Sequence, residues 1–176
     1  MSHTSQPVFD PNEVVVFSDA MMQQMTEVVK KFPQDKEKSA LIRILHIAQA
    51  EYGWVSVPVM NKIAEFLKIQ AIEVYEVATF YTMFNLHPVG KHIFEVCQTG
   101  PCMLRGSDDL IAHIRSKLNI GPGETTADGM FTLKLVECLG ACGYAPMMQL
   151  GENYREHLTI EKVDAMIEKA LQGEVI

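Results

Sequence analysis

His92-Ile93-Phe94-Glu95-Val96-Cys97-Gln98-Thr99-Gly100-Pro101-Cys102 is the stretch on which the reading of this chain turns. Its first six residues alternate and are rich in β-branched and aromatic side chains, the pattern of a strand. Gly100-Pro101 ends that pattern, and Cys97 and Cys102 stand on either side of the break. A second pair, Cys138-Leu139-Gly140-Ala141-Cys142, follows another predicted strand, Met130–Val136. The chain holds 4 cysteines, so both loops together contain its whole thiol inventory.

Four thiolates that meet in space can hold zinc or an iron–sulfur cluster, and two pairs can instead form disulfides. Paired cysteines in a reducing compartment more often bind metal or do redox chemistry than form structural bridges. Structural zinc usually uses knuckles with about two to four residues between ligands, and C-x4-C and C-x3-C lie at the loose end of that range. A thioredoxin-type catalyst wants C-x-x-C, which neither pair has. A Rieske centre wants two histidines in place of two cysteines, and none is near either loop. Both pairs leave strand ends, which are rigid points. Gly100, Gly106, Gly140 and Gly143 flank the thiols and let backbone N–H groups approach sulfur. A helix beginning near Met103 would add its N-terminus; Arg105 is read as solvated. The spacing favours iron–sulfur and leaves zinc open.

Before these loops the period is helical. Ser18 or Asp19 opens a helix expected to run to Phe32, ahead of Pro33, with Met21, Met25, Val28, Val29 and Phe32 on one face. That methionine-rich face reads as ordinary core, with a partner-gripping surface as the alternative. A second helix spans about Lys36–Tyr52, ended by Gly53; His46 in it reads as a packed or surface histidine. A third starts at Ser56 and Pro58 and buries Val59, Ile63 and Leu67. A fourth covers about Ala71–Phe84, with Val74, Val77, Tyr81 and Phe84 inward. After the first strand come a helix over Met103–Leu118, a turn at Asp128-Gly129, the strand Met130–Val136, and short strands at Met147–Leu150 and Tyr154–Leu158. Thr159 caps a closing helix to Leu171. The reading is a flexible arm over 1–12, a helical half over 13–87 and an α/β half over 88–176. The order β-α-β-β-β-α suggests a thioredoxin-like sheet.

Composition sets outer limits. The chain has 176 residues, 48% hydrophobic and 21% charged, which suits a globular protein. A net charge of −7 argues against a nucleic-acid partner. No apolar run approaches the length of a membrane span, and the first residues have neither a signal core nor an Arg-rich amphipathic pattern. A bacterial cytoplasmic setting, or prior loss of a targeting segment, is expected.

Several segments together carry a resemblance. They are Tyr52-Gly53-Trp54 and Val77-Ala78-Thr79-Phe80-Tyr81-Thr82-Met83-Phe84 in the helical half. In the second half they are Val96-Cys97 with Gly100-Pro101-Cys102, Gly123-Glu124-Thr125-Thr126 with Asp128-Gly129, and Glu137-Cys138-Leu139-Gly140-Ala141-Cys142 with Ala145-Pro146. From about Asp19 onward the chain resembles the small thioredoxin-like 2Fe-2S subunit of the NADH-dehydrogenase module of respiratory complex I. The resemblance implies an α+β chain in two parts, a helical bundle followed by a thioredoxin-like 2Fe-2S ferredoxin domain. It implies that Cys97, Cys102, Cys138 and Cys142 ligate one 2Fe-2S cluster. It implies partner subunits, one binding FMN and NADH and others carrying iron–sulfur groups, in a complex peripheral to the inner membrane. The expected role is single-electron exchange with FMN in the neighbouring NADH-oxidising subunit. The absence of a G-x-G-x-x-G after a strand and of a P-loop agrees with leaving hydride chemistry to that partner. Two alternatives stay open: the equivalent subunit of an NAD-reducing hydrogenase or NAD-linked formate dehydrogenase, and a structural zinc interaction module.

Overall fold

Unbroken hydrophobic stripes at helical spacing build the first part of the chain. The structure, a computed structural model, describes residues 14–176; the arm expected over 1–12 lies outside them. The chain divides into two compact units between Pro88 and Val89. In the first unit, α1 (Asp19–Val29), α2 (Leu41–Tyr52), α3 (Val57–Leu67) and α4 (Ala71–Phe80) follow one another. Ser18 Oγ accepts the Met21 N–H at 3.2 Å, and Ser56 Oγ accepts the Val59 N–H at 3.3 Å, so two helices start on side-chain caps. At α4 the Gln70 N–H is capped by the Glu73 carboxylate at 2.9 Å. Met21, Met25, Ile44, Leu45, Met60, Ile63 and Val74 interlock in one buried cluster, so the methionine face of α1 is mostly core. His46 packs its ring on Phe84 at 5.0 Å.

Three helix ends differ from expectation. α1 stops at Val29 rather than Phe32, because the last turn tightens: Lys31 and Phe32 donate to Val28 and Val29, three residues back. Residues 37–40 form a 3-10 turn ahead of α2. α4 ends at Phe80 rather than Phe84. Here long-range bonds win over local periodicity: Gln49 of α2 donates to the Met83 carbonyl at 2.9 Å and accepts the Asn85 N–H at 2.6 Å, and Asn85 Nδ2 donates to the Gly53 carbonyl at 3.2 Å. The run Thr79-Phe80-Tyr81-Thr82, poor in helix formers, yields easily to that pull. Tyr81 is consequently exposed and Phe84 buried.

The second unit is a four-stranded sheet in the order β2-β1-β3-β4, comprising β1 (His92–Cys97), β2 (Phe131–Val136), β3 (Met148–Leu150) and β4 (Asn153–Arg155). β1 and β2 are parallel, joined by a helical crossover, and β3 and β4 add as an antiparallel hairpin. The expected single helix from Met103 is two: α5 (Gly100–Leu104) and α6 (Ser107–Leu118), separated at Gly106, whose φ of +93° suits glycine alone. α7 (Ile160–Leu171) closes the chain, with Thr159 Oγ1 accepting the Lys162 N–H at 3.3 Å. Phe94, Val96, Leu133 and Met148 share one sheet face and pack with Leu110 and Ile114 of α6 and Val163 and Ile167 of α7. The strand expected over Tyr154–Leu158 ends at Arg155. Its continuation turns to bond the second cysteine loop, His157 N–H to the Tyr144 carbonyl at 2.8 Å and Leu158 N–H to the Pro146 carbonyl at 2.9 Å. The architecture is α+β, N-terminal helices and a four-stranded mixed sheet.

Two tests address this packing. Met25 is fully buried; Met25→Ala should cost about 2–5 kcal/mol in urea denaturation, and a cost near zero would show that α1 is not core. His92 lies against Phe131, and its Nε2 is buried without a hydrogen-bond partner among the described residues. Burial, with a smaller contribution from the Lys91 charge, holds its pKa below the usual 6.5. The unfolded chain then binds the proton first as pH falls. The stability from the neutral ring is complete above about pH 6.5 and is lost as pH falls toward the depressed folded value. Tm should therefore drop on acidification below about pH 6.5, and drop less in His92→Phe. An equal drop in that variant would contradict the placement of His92.

Candidate metal centre

Parallel pairing sets up the site. Cys97, the last residue of β1, stands opposite Val136, the last of β2, and Gln98 N–H donates to the Val136 carbonyl at 3.1 Å. Both cysteine loops therefore leave the same end of the sheet from adjacent strands. The first loop turns at once into α5, with the Cys102 and Met103 N–H groups bonding the Thr99 carbonyl, which returns Cys102 towards Cys97. The second returns to β3 by way of Met147, whose carbonyl accepts the Cys97 N–H at 3.2 Å. Gly140 makes the tight bend between Cys138 and Cys142 at a φ of +80°.

All four cysteines are free thiols. Cys97 and Cys102 are each 2% exposed and pack with Ala145, Met147, Leu139 and Ala141. Cys138 and Cys142 are exposed, with their sulfurs 3.6 Å apart. The pairs are coupled: Cys97 shares a thiol hydrogen bond with Cys102 and acts electrostatically on Cys138 and Cys142. Thr99 links them, its hydroxyl 3.3 Å from Cys97 Sγ and also bonded to Cys138.

The thiols alternate in acidity. Burial works to raise the Cys97 pKa, but the Thr99 hydroxyl and N–H, Cys102 and the Leu139 N–H together pull it below the usual value. Burial, then the bond with Cys97, pushes Cys102 up to about 11. The Gly140 N–H, at 3.4 Å from Cys138 Sγ, lowers Cys138, and the thiol bond from Cys142 assists. Cys142 is raised, first by its bond to Cys138 and then by that sulfur's charge. Each pair thus holds one thiol disposed to ionise beside one that resists a second negative charge. Such a pocket is relieved when a cation replaces the shared protons.

The donor set suits a cluster. Among the described residues no three Cys, His, Asp or Glu side chains are gathered to hold a single metal ion. Four thiols in two pairs match a group that divides its ligands between two irons, more closely than one zinc drawing all four to about 2.3 Å. The Gly140 N–H and the Thr99 hydroxyl already point at sulfur. The helix N-terminus expected near Met103 contributes little, because α5 has 5 residues and Cys102 lies within it. Arg105 is exposed, as expected. Thr99 was legible in principle, as a hydroxyl two residues after Cys97. Tyr154, whose hydroxyl donates to the Leu139 carbonyl at 2.8 Å, carries no local signal and reaches the loop only through strand pairing.

Known proteins resemble this chain. The family model for the thioredoxin-like [2Fe-2S] ferredoxin matches residues 25–171. A Rickettsia bellii protein named as an NADH-quinone oxidoreductase subunit is 46% identical over 144 residues, covering 81% of this chain and 86% of that protein. A Rhizobium meliloti protein named as the corresponding NADH-quinone oxidoreductase subunit is 41% identical over 148 residues, covering 84% and 87%. Among solved structures, an NAD+-reducing [NiFe]-hydrogenase chain superposes with a TM-score of 0.68 at 22% identity. The superposition covers 76% of this chain and 23% of that longer one, a likeness of fold. The chain belongs to the thioredoxin-like [2Fe-2S] ferredoxin family.

Proposed function

We propose that this chain is the electron-carrying subunit of an NADH:quinone oxidoreductase, with Cys97, Cys102, Cys138 and Cys142 as the four ligands of one 2Fe-2S cluster. The observation that supports the proposal is that both cysteine loops leave the same end of the sheet from adjacent parallel strands, in a chain 46% identical to a protein named as a subunit of that enzyme. Bound there, a 2Fe-2S group accepts and returns one electron at a time. The protein's part is to hold and tune. Cys97 and Cys102 sit in an apolar pocket with Ala145 and Met147, which keeps water from one side of the site. The exposed pair, Cys138 and Cys142, leaves the opposite side open to a redox partner. N–H and hydroxyl donors on the sulfurs stabilise thiolate charge.

In this reading a partner subunit binds FMN and NADH and takes the hydride, and single electrons pass between its flavin and this chain. Residues 88–176 form the cluster-bearing domain and residues 13–87 the docking element. The setting is the cytoplasmic face of a bacterial inner membrane, beside further iron–sulfur subunits. Among the described residues no helix is long and apolar enough to cross a membrane.

NADH should reduce the cluster only when the FMN-binding subunit is present; reduction of the isolated chain by NADH, or none in the mixture, would overturn the proposed role. Cys138→Ala should bring iron and sulfide per chain close to zero, and chelation of the wild type should lower its Tm, because binding free energy is partly folding free energy. A cluster retained with full occupancy in Cys138→Ala would remove that ligand. Gly140→Ala, at a φ of +80°, should cost about 1 kcal/mol and lower cluster occupancy; unchanged stability and iron content would show that the bend is unstrained.

A further inference from the structure

We propose that Tyr154 sets the reduction potential of the centre by acting through a single peptide group, a role that rests on the reading of Cys138 as a cluster ligand. The Tyr154 hydroxyl donates to the Leu139 carbonyl at 2.8 Å. That carbonyl and the Gly140 N–H are the two ends of one amide, and the N–H donates to Cys138 Sγ at 3.4 Å. The groups form a continuous relay, O–H to C=O and then N–H to S. Hydrogen bonds in such a chain polarise one another: electron density drawn to the carbonyl oxygen makes the N–H a stronger donor to sulfur. Reduction adds one negative charge that the ligand sulfurs share, so a stronger donor favours the reduced state.

The surrounding architecture separates this electronic role from simple support of the loop. The segment beginning at β4 holds the second cysteine loop at three points. Besides the tyrosine, His157 N–H bonds the Tyr144 carbonyl at 2.8 Å and Leu158 N–H bonds the Pro146 carbonyl at 2.9 Å. The two backbone clamps keep the end of the loop in place when the hydroxyl is removed. Of these three contacts, only that of the tyrosine reaches the amide that donates to Cys138. Tyr154 is 44% exposed and projects from an edge strand, so Phe fits there without burying a polar group. Water can partly replace the lost hydroxyl at the Leu139 carbonyl, which limits the effect to a modest factor. Tyr154 is in this sense a positioning residue: it reaches the cluster through Gly140.

The test is a redox titration of the full chain, wild type against Tyr154→Phe, followed by EPR of the reduced state with iron and sulfide counted in each. The variant should keep its cluster while its equilibrium constant for one-electron reduction falls about threefold to tenfold, tenfold being 59 mV for a one-electron couple. A ring-fluorinated tyrosine placed at 154, whose hydroxyl is a stronger donor, should shift the potential the opposite way; it also reads the relay if the Phe variant fails to fold. An unchanged potential in an intact Tyr154→Phe cluster, or no upward shift with the fluorinated ring, overturns the relay alone. A wild-type chain that assembles no 2Fe-2S cluster overturns both the relay and the ligand assignment beneath it.

Discussion

The parallel pairing of β1 with β2 is the constraint on which the site depends. A parallel pair needs a crossover, and α5 and α6 supply it. Its consequence is that two strands end at the same edge, Cys97 opposite Val136. Two loops far apart in sequence therefore leave side by side. An antiparallel pair would have sent them to opposite ends of the sheet, and no glycine pattern could have reunited the thiols. Phe94, Val96 and Leu133, buried against α6 and α7, hold that pairing through the apolar surface they remove from water.

On this frame the two cysteine pairs have different surroundings. One is sealed among Ala145 and Met147; the other is at the surface. Burial, then the bond with Cys97 and, last, the charges of Cys97 and Cys142, pushes Cys102 up to about 11, while Cys97, rich in donors, is lowered. The donors come from loop backbone and from Thr99. Glu95 and Lys134 form a cross-strand pair 3.8 Å apart on β1 and β2. Polarity at the sulfurs comes from Thr99 and from peptide groups whose directions the fold sets.

The elements with strong local signals were legible: the alternation of His92–Cys97, the caps at Ser18, Ser56 and Thr159, and the cysteine loops after strands. The ends of α1 and α4 were not, the latter because bonds from Gln49 to residues 83 and 85 cross 34 and 36 positions, beyond any periodic window. The break at Gly106 was visible as a glycine but read as a flank of the thiols. The last strand ends at Arg155, short of Leu158, because His157 and Leu158 bond the loop carbonyls of Tyr144 and Pro146 and leave the sheet. Spacing alone left zinc and iron–sulfur both open. What moved beyond that was the combination of segments from Tyr52 to Pro146, together with a strand order that no single motif encodes.

The proposed 2Fe-2S cluster on Cys97, Cys102, Cys138 and Cys142 is open to direct measurement. Iron, acid-labile sulfide and zinc measured on anaerobically purified full-length protein, with EPR after chemical reduction, test it most directly. Iron and sulfide should be present in equal amounts, in a red-brown protein that gives the signal of a reduced 2Fe-2S centre. A colourless protein with one zinc per chain and no such signal would contradict it.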